Sequence, residues 1–470
     1  MGNDEYFDDE EFREMLNDYE QTVKSGQMVF MDADDLADIA DYYQLHERYE
    51  EAEQAIERAI ELQPDSPVVL SYMVHKALSN KDYQAAEDYL AQIADELHPE
   101  YIYCRAEIWM AQGMAEQADN YLRESLKQVS SVEYQDYVYD VANLWMDYNF
   151  SEKAMEWMMR VPPEDTADFK ELMGRTYFGL GAYDDSERIF NELIDKDPFE
   201  KRYWHALANT QYMKEDYGAS VASSEYAIAI DPEDTEGIMA KANALFRLDN
   251  FEEALKYYER YSEKEHDEFS LLYQGCCLIN LKRYEEAKER LLKAEEAAPA
   301  DSPYLVEIYQ ELGFVHSELK QPETALRYID KTETLNCDHV DMLVIRGHIL
   351  LGNGRVGEAE EAFRQAVRKS DSSPQTLMRI IVSVYDNHYL DAAYKMFQKY
   401  FSLIDEDYDE GYSYMALCCH DMLLFDEYLH YLKEACQRNP HEAKQVLSHL
   451  FPEDMKPEDY YEYDKKRLTI

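Results

Sequence analysis

The chain has 470 residues and carries 99 Asp+Glu against 46 Lys+Arg, a formal net charge of −53. Hydrophobic residues make up 46% and include 41 Tyr, too much apolar material for a disordered acidic chain. With only 15 Gly and 14 Pro, it lacks the turn vocabulary of sandwiches, barrels and dinucleotide-binding folds, so an all-α chain is expected.

The charge and the absence of a basic stripe argue against nucleic acid as a partner, and anionic membranes are disfavoured for the same reason. No apolar run approaches the roughly 18 residues of a membrane span. Met1-Gly2-Asn3-Asp4-Glu5 lacks the basic start and apolar core of a signal peptide, and Tyr6 breaks the myristoylation pattern. The seven cysteines show no disulfide-scaffold or zinc spacing, so a reducing cytoplasm is the expected home.

In chain order, residues 1–32 read as an acidic N-terminal capping helix, with Phe7, Phe12, Leu16, Tyr19 and Val23 on one face of 5–24. From residue 33 the same features return every 34 residues or so. Tyr49 recurs as Tyr83, Tyr183, Tyr217, Phe251, Tyr284, Tyr389 and Phe425. Three residues on stand Ala52, Ala86, Ala118, Ala154, Ala254, Ala287, Ala325, Ala359 and Ala392. Nine residues before the aromatic lies a second small position: Ala40, Ala106, Ala142, Gly174, Ala208, Ala242, Gly275, Gly313, Gly347 and Ala416, with Val74 and Ile380 as exceptions. Pro64, Pro198, Pro232, Pro299 and Pro440 close five units.

These residues resemble the tetratricopeptide repeat, a helix–turn–helix unit of about 34 residues, and the multi-repeat bacterial type in particular. Residues 167–200, with Gly174, Tyr177, Gly181, Tyr183, Phe190 and Pro198, match best. About twelve units span 33–442, starting near 33, 67, 99, 135, 167, 201, 235, 268, 306, 340, 373 and 409. A physical reason accompanies the spacing: small residues sit where the two helices of a unit cross closely, and aromatics fill the space beside the crossing. The resemblance implies a right-handed superhelical solenoid of antiparallel helix pairs, one domain stabilised between neighbours. Ser302–Leu305 is a four-residue insertion that could bend it between eight and four repeats. Residues 443–470 are expected to give a capping helix over 441–450 and then an irregular tail broken by Pro452 and Pro457.

Chemical motifs fail on context. Gly352-Asn353-Gly354-Arg355-Val356-Gly357 matches the dinucleotide pattern but follows a helix and falls at the turn inside the tenth repeat. The acidic run 405–411 has Gly411 seventh and Ala416 twelfth, where a calcium loop needs Gly sixth and Glu twelfth. Cys276-Cys277 and Cys418-Cys419 read as buried reduced thiols, because adjacent helical residues point about 100° apart. The 13 His form no ligand spacing, and no nucleophile has a base placed by motif; no catalytic, cofactor or metal residue is assigned, and no enzyme activity is expected.

A binding role then rests on surfaces. The resemblance implies a groove lined by the second, fifth, sixth, ninth, twelfth and thirteenth places of each first helix. In the middle of the chain these hold Tyr139, Asn143, Met146, Arg175, Phe178, Arg202, His205, Asn209, Tyr212, Met239, Asn243, Phe246, Arg247 and Tyr273, a mixture that suits an extended peptide. Asn at the ninth place is equally a feature of the repeat itself. A carboxylate clamp for acidic tails is not expected, since Ala240, Phe269 and Tyr273 stand at clamp places. Further on, Val344, Ile345, Leu377, Met378, Ile381, Val384, Tyr414 and Leu417 form an apolar stretch that is either a partner or self-association surface, or covered by curvature and the C-terminal cap. The expected function is a non-enzymatic scaffold for a protein or peptide, with basic partners favoured by the charge. The alternatives are a self-assembling subunit and a holdase for unfolded clients.

Overall fold

The computed structural model describes residues 10–25, 31–45, 48–335, 337–404, 408–452 and 455–468. The described residues are all helix, turn and bend, with no strand. They form two compact units, 1–240 and 241–470.

In the first unit, helix Glu10–Lys24 buries Phe12 and Tyr19 against the first pair, Ala33–Leu45 and Tyr49–Leu62. Phe7, which shared that face in the sequence, lies outside the described residues. The pairs Pro67–Ser79/Tyr83–Leu90, Pro99–Ala111/Ala115–Leu126, Tyr134–Asp147/Ser151–Met158, Ala167–Gly179/Tyr183–Lys196 and Lys201–Met213/Tyr217–Ile230 follow. From Ala33–Leu45 to Lys201–Met213, each first helix packs on the next first helix as well as on its own second helix, which makes these first helices one wall. Ala40, Ala106, Ala142 and Ala208 are 0% exposed at the crossings the sequence assigned to small residues.

The second unit repeats the plan through Phe251–Ser262, Glu268–Asn280/Tyr284–Ala297, Leu305–Glu318/Pro322–Lys331, His339–Gly352/Val356–Lys369, Pro374–Asp386/Leu390–Phe401 and Tyr412–Asp421/Phe425–Arg438. At three crossings glycine leaves no room for a methyl: an added Cβ would lie 2.6 Å from Leu291 at Gly275, 2.8 Å from Ile329 at Gly313, and on the Phe363 ring at Gly347. The turn between the two helices of a pair holds one residue in the left-handed region, at 81, 113, 149, 181, 215, 249, 282, 320, 354, 388 and 423. Only Gly113, Gly181 and Gly354 are glycines; Glu215, His388 and Leu423 take the same conformation with a side chain, at a cost of about 1 kcal/mol each.

That landmark corrects one register. In every other unit whose turn is described it stands fourteen residues after the expected start, but His388 places the eleventh start at Pro374, not 373. Tyr389 is therefore the residue before helix Leu390–Phe401, Ala393 instead of Ala392 is the buried small residue, and Ile381 occupies the crossing.

The C-terminus departs further from expectation. Helix Pro440–Leu447 follows the last pair, and its Glu442 carboxylate accepts from the backbone N–H of Gly411 (2.8 Å) and Ser413 (3.3 Å), capping helix Tyr412–Asp421. The expected irregular tail is instead helix Pro457–Leu468. Pro457 opens this helix, where proline's missing N–H costs nothing. Tyr460 stacks on Phe451 with ring centroids 3.8 Å apart, and the buried Asp464 carboxylate accepts from the Tyr428 hydroxyl at 2.6 Å.

Candidate functional site

Each unit presents its first-helix wall by itself. In the first unit, the fifth place is covered in half of the repeats, where Ala37 is 0%, Ser71 5% and His205 7% exposed, and half-buried at Tyr103, Tyr139 and Glu171. His205 is an internal tie. Its ring nitrogens pair with Asp234 (2.6 Å) and Glu236 (3.1 Å). Burial alone lowers its pKa, but hydrogen bonds to these carboxylates outweigh that and raise it to about 9. Lys201 joins the same tie through Asp231 at 2.9 Å, and Asp234 also accepts from the N–H of Gly237. Among the remaining groove candidates, Tyr139 packs on Phe169, Asn143 is half-buried, Tyr212 meets Tyr217 edge-on at 5.2 Å, and Asn209 is exposed.

The guanidinium groups are already engaged. Arg175 pairs with Asp147 at 3.5 Å, and Arg202 with Glu200 at 3.2 Å. What the wall presents in excess is carboxylate. Asp38, Asp41, Glu100, Asp136, Asp140, Asp147, Asp168 and Glu171 all stand at second, sixth, ninth or neighbouring groove places and are half-buried or exposed. Burial pushes the Asp41 carboxyl up to about 7, and it also raises Asp140 and Asp147. Asp140 additionally accepts from the Tyr103 hydroxyl at 2.8 Å. Desolvation disfavours the charged form of each, and for Asp147 the nearby Arg175 offsets it only in part.

In the second unit, Asn243 accepts from the Tyr258 hydroxyl at 2.7 Å, so its amide oxygen is engaged internally. Phe246 packs edge-on against Phe251 (5.4 Å) and Tyr273 (5.2 Å), Tyr273 continues to Phe269, and Phe269 to Tyr304. Arg247 is exposed. Glu311 is raised to about 7, first by burial and then by the Glu307 charge.

The distal apolar stretch is mostly interior. Val344 (5% exposed) and Met378 (6%) occupy the fifth place, and Ile381 (2%) and Val384 (7%) are core because of the one-residue register difference. Leu377, one place off the groove in the true register, is half-buried with Ile345, Tyr414 and Leu417 against the same core.

Six of the cysteines are buried and Cys337 is half-buried; none is in a disulfide. Burial pushes the Cys277 and Cys419 thiols to about 12, far from thiolate chemistry at neutral pH. The glycine-rich motif sits at the turn between two helices, with Gly354 at φ +73°. Residues 405–407 of the acidic run lie outside the described residues. One cluster crosses repeats in a way no motif search along the chain would find: His75, Cys104 and Glu107 bring their ligand atoms within 4.8 Å of one another.

Models of the tetratricopeptide repeat match residues 172–235, 315–374 and 36–66, and the model described as anaphase-promoting complex, cyclosome, subunit 3 matches 213–294. The chain is a tetratricopeptide-repeat protein. Protein FlbA of Caulobacter vibrioides is 25% identical over 199 residues, which is 42% of this chain; the chain spans 33% of that relative's length. Yeast Tom70 superposes with a TM-score of 0.43 at 15% identity, covering 93% of this chain and 96% of that one. MamA of Desulfovibrio magneticus RS-1 gives 0.35 at 16% identity, over 37% of this chain and 97% of its own. Tetratricopeptide-repeat proteins bind proteins or peptides. No helix among the described residues is long and apolar enough to cross a membrane.

Proposed function

We propose that the chain is a non-enzymatic scaffold whose first-helix walls bind a Lys/Arg-rich, extended protein segment. One observation carries this reading: in the first unit the groove places hold more carboxylates than cations, Asp41, Asp136 and Asp140 among them, while Arg175, Arg202 and His205 are each already paired with acids. A cationic segment laid along Asp136 and Asp140 meets exposed carboxylates, with Asn143 and Asn209 as the candidates to bond its backbone. Tyr139 and Tyr212 offer ring faces to its side chains, and Arg247, Phe246 and Tyr273 a mixed surface further along. Self-association and holdase activity gain no support from the distal stretch, since Val344, Met378 and Ile381 are core.

Fluorescence anisotropy with labelled extended peptides tests the reading. A Lys/Arg-rich peptide should bind, an acidic peptide of equal length should not, and Asp136→Asn with Asp140→Asn and Asp147→Asn should weaken binding by about tenfold or more. Unchanged affinity in the triple variant overturns it.

A further inference from the structure

We propose that His75, Cys104 and Glu107 form a binding site for a divalent cation of the zinc class in the wall of the second and third repeats. Cys104 and Glu107 are three apart on helix Pro99–Ala111 and so share a face; His75 reaches them from Pro67–Ser79. The His75 Nε2 lies 2.8 Å from a Glu107 carboxylate oxygen and 3.9 Å from the Cys104 sulfur. Tetrahedral zinc, with bonds of about 2.0–2.3 Å, sets its donors roughly 3.2–3.7 Å apart, so sub-ångström side-chain movements seat an ion between them.

The donor chemistry is selective. Imidazole, thiolate and carboxylate are a zinc set, whereas magnesium and calcium take oxygen alone. Once the thiol proton has left to solvent, the two anions balance the dication with neutral imidazole. The surroundings are enclosed: Cys104 is 1% and Glu107 9% exposed. The His75 Nδ1 is buried without a hydrogen-bond partner among the described residues, so Nε2, the nitrogen facing Glu107 and Cys104, is the one available to an ion. Asp41, on the preceding first helix, faces the ring electrostatically. Three protein donors leave a fourth position for water or a partner's side chain, as open zinc sites do.

Unlike the many surface carboxylates, the site offers sulfur, and the experiment reads that. Cobalt(II) titration of the intact chain should give one equivalent with a sulfur-to-cobalt charge-transfer band, bleached by zinc. The band should vanish in Cys104→Ser, and Glu107→Gln should weaken binding by about tenfold or more. Zinc should also slow alkylation of Cys104, read by peptide mass spectrometry on the unaltered chain, while leaving Cys337 unaffected; this needs no variant to fold. Cobalt bound without a thiolate band, a band that survives Cys104→Ser, or alkylation of Cys104 indifferent to zinc overturns the proposal and leaves His75–Glu107 as an ion pair. Peptide affinity is read separately, so failure here is distinct from failure of the groove.

Discussion

Two glycines in one repeat should respond oppositely to the same substitution. Gly347 lies in mid-helix at the crossing, and a Cβ there falls on the Phe363 ring, which is buried at 8% exposed. Overpacking of this kind costs about 1–3 kcal/mol, offset by the roughly 1 kcal/mol that alanine gains over glycine in a helix interior. Gly347→Ala should therefore lose on the order of 1 kcal/mol. Gly357, at the second position of Val356–Lys369, has nothing within 4 Å of an added Cβ. Gly357→Ala should gain about 0.5 kcal/mol from propensity alone. A repeat array need not unfold in one step, and the four tryptophans all lie in the first unit, so neither a single melting curve nor intrinsic tryptophan emission isolates this repeat. Amide hydrogen exchange of peptides covering 339–369 does. Protection should fall several-fold in Gly347→Ala and hold or rise in Gly357→Ala. Equal protection in the two variants would refute the close-crossing reasoning.

Three further outcomes are expected. Because His205 has its pKa raised to about 9 from an ordinary 6.5, its ties to Asp234 and Glu236 contribute fully below about pH 6.5 and fade as pH rises through 9; exchange at 201–240 should accelerate over that window in the wild type but not in His205→Gln, with a limiting value of about 3 kcal/mol. Asp119 is 4% exposed and accepts from Trp157, Arg123 and Lys153, each at 2.9 Å; Asp119→Ala should cost about 2–4 kcal/mol and shift Trp157 emission to the red, and unchanged emission would contradict it. Leu423→Gly relieves a left-handed leucine that is 69% exposed and should stabilise the last repeat by about 1 kcal/mol, read by exchange over 412–438.

The fold was legible because close helix crossings admit only small side chains, so Ala40, Gly275 and Ala416 recur at a fixed interval. Register failed where that signal failed. The eleventh repeat has Ile380 and Ile381 at its crossing and two aromatic-compatible residues, Tyr389 and Leu390, at its second helix. The left-handed turn residue would have settled it, but it is glycine in only three repeats. In the sequence Pro457 reads as a breaker, yet it opens a helix, and that hides the C-terminal packing of Tyr460 and Asp464. At the candidate site, residue type gave the places but not their partners: His205 and Asn243 look available in a list and are engaged by Asp234 and Tyr258 in space. The acids at second, sixth and ninth places were visible all along, diluted among 99. His75, Cys104 and Glu107 were hidden because their proximity follows from one repeat period and not from a local motif.

The most direct test of the scaffold role is crosslinking to an extended Lys/Arg-rich peptide carrying a photoreactive residue, followed by mapping of the adducts. Adducts confined to first helices, centred on 134–147 and lost with Asp136→Asn, Asp140→Asn and Asp147→Asn together, are what the acidic wall predicts. Adducts spread over the second helices, or unaffected by the triple change, would contradict it.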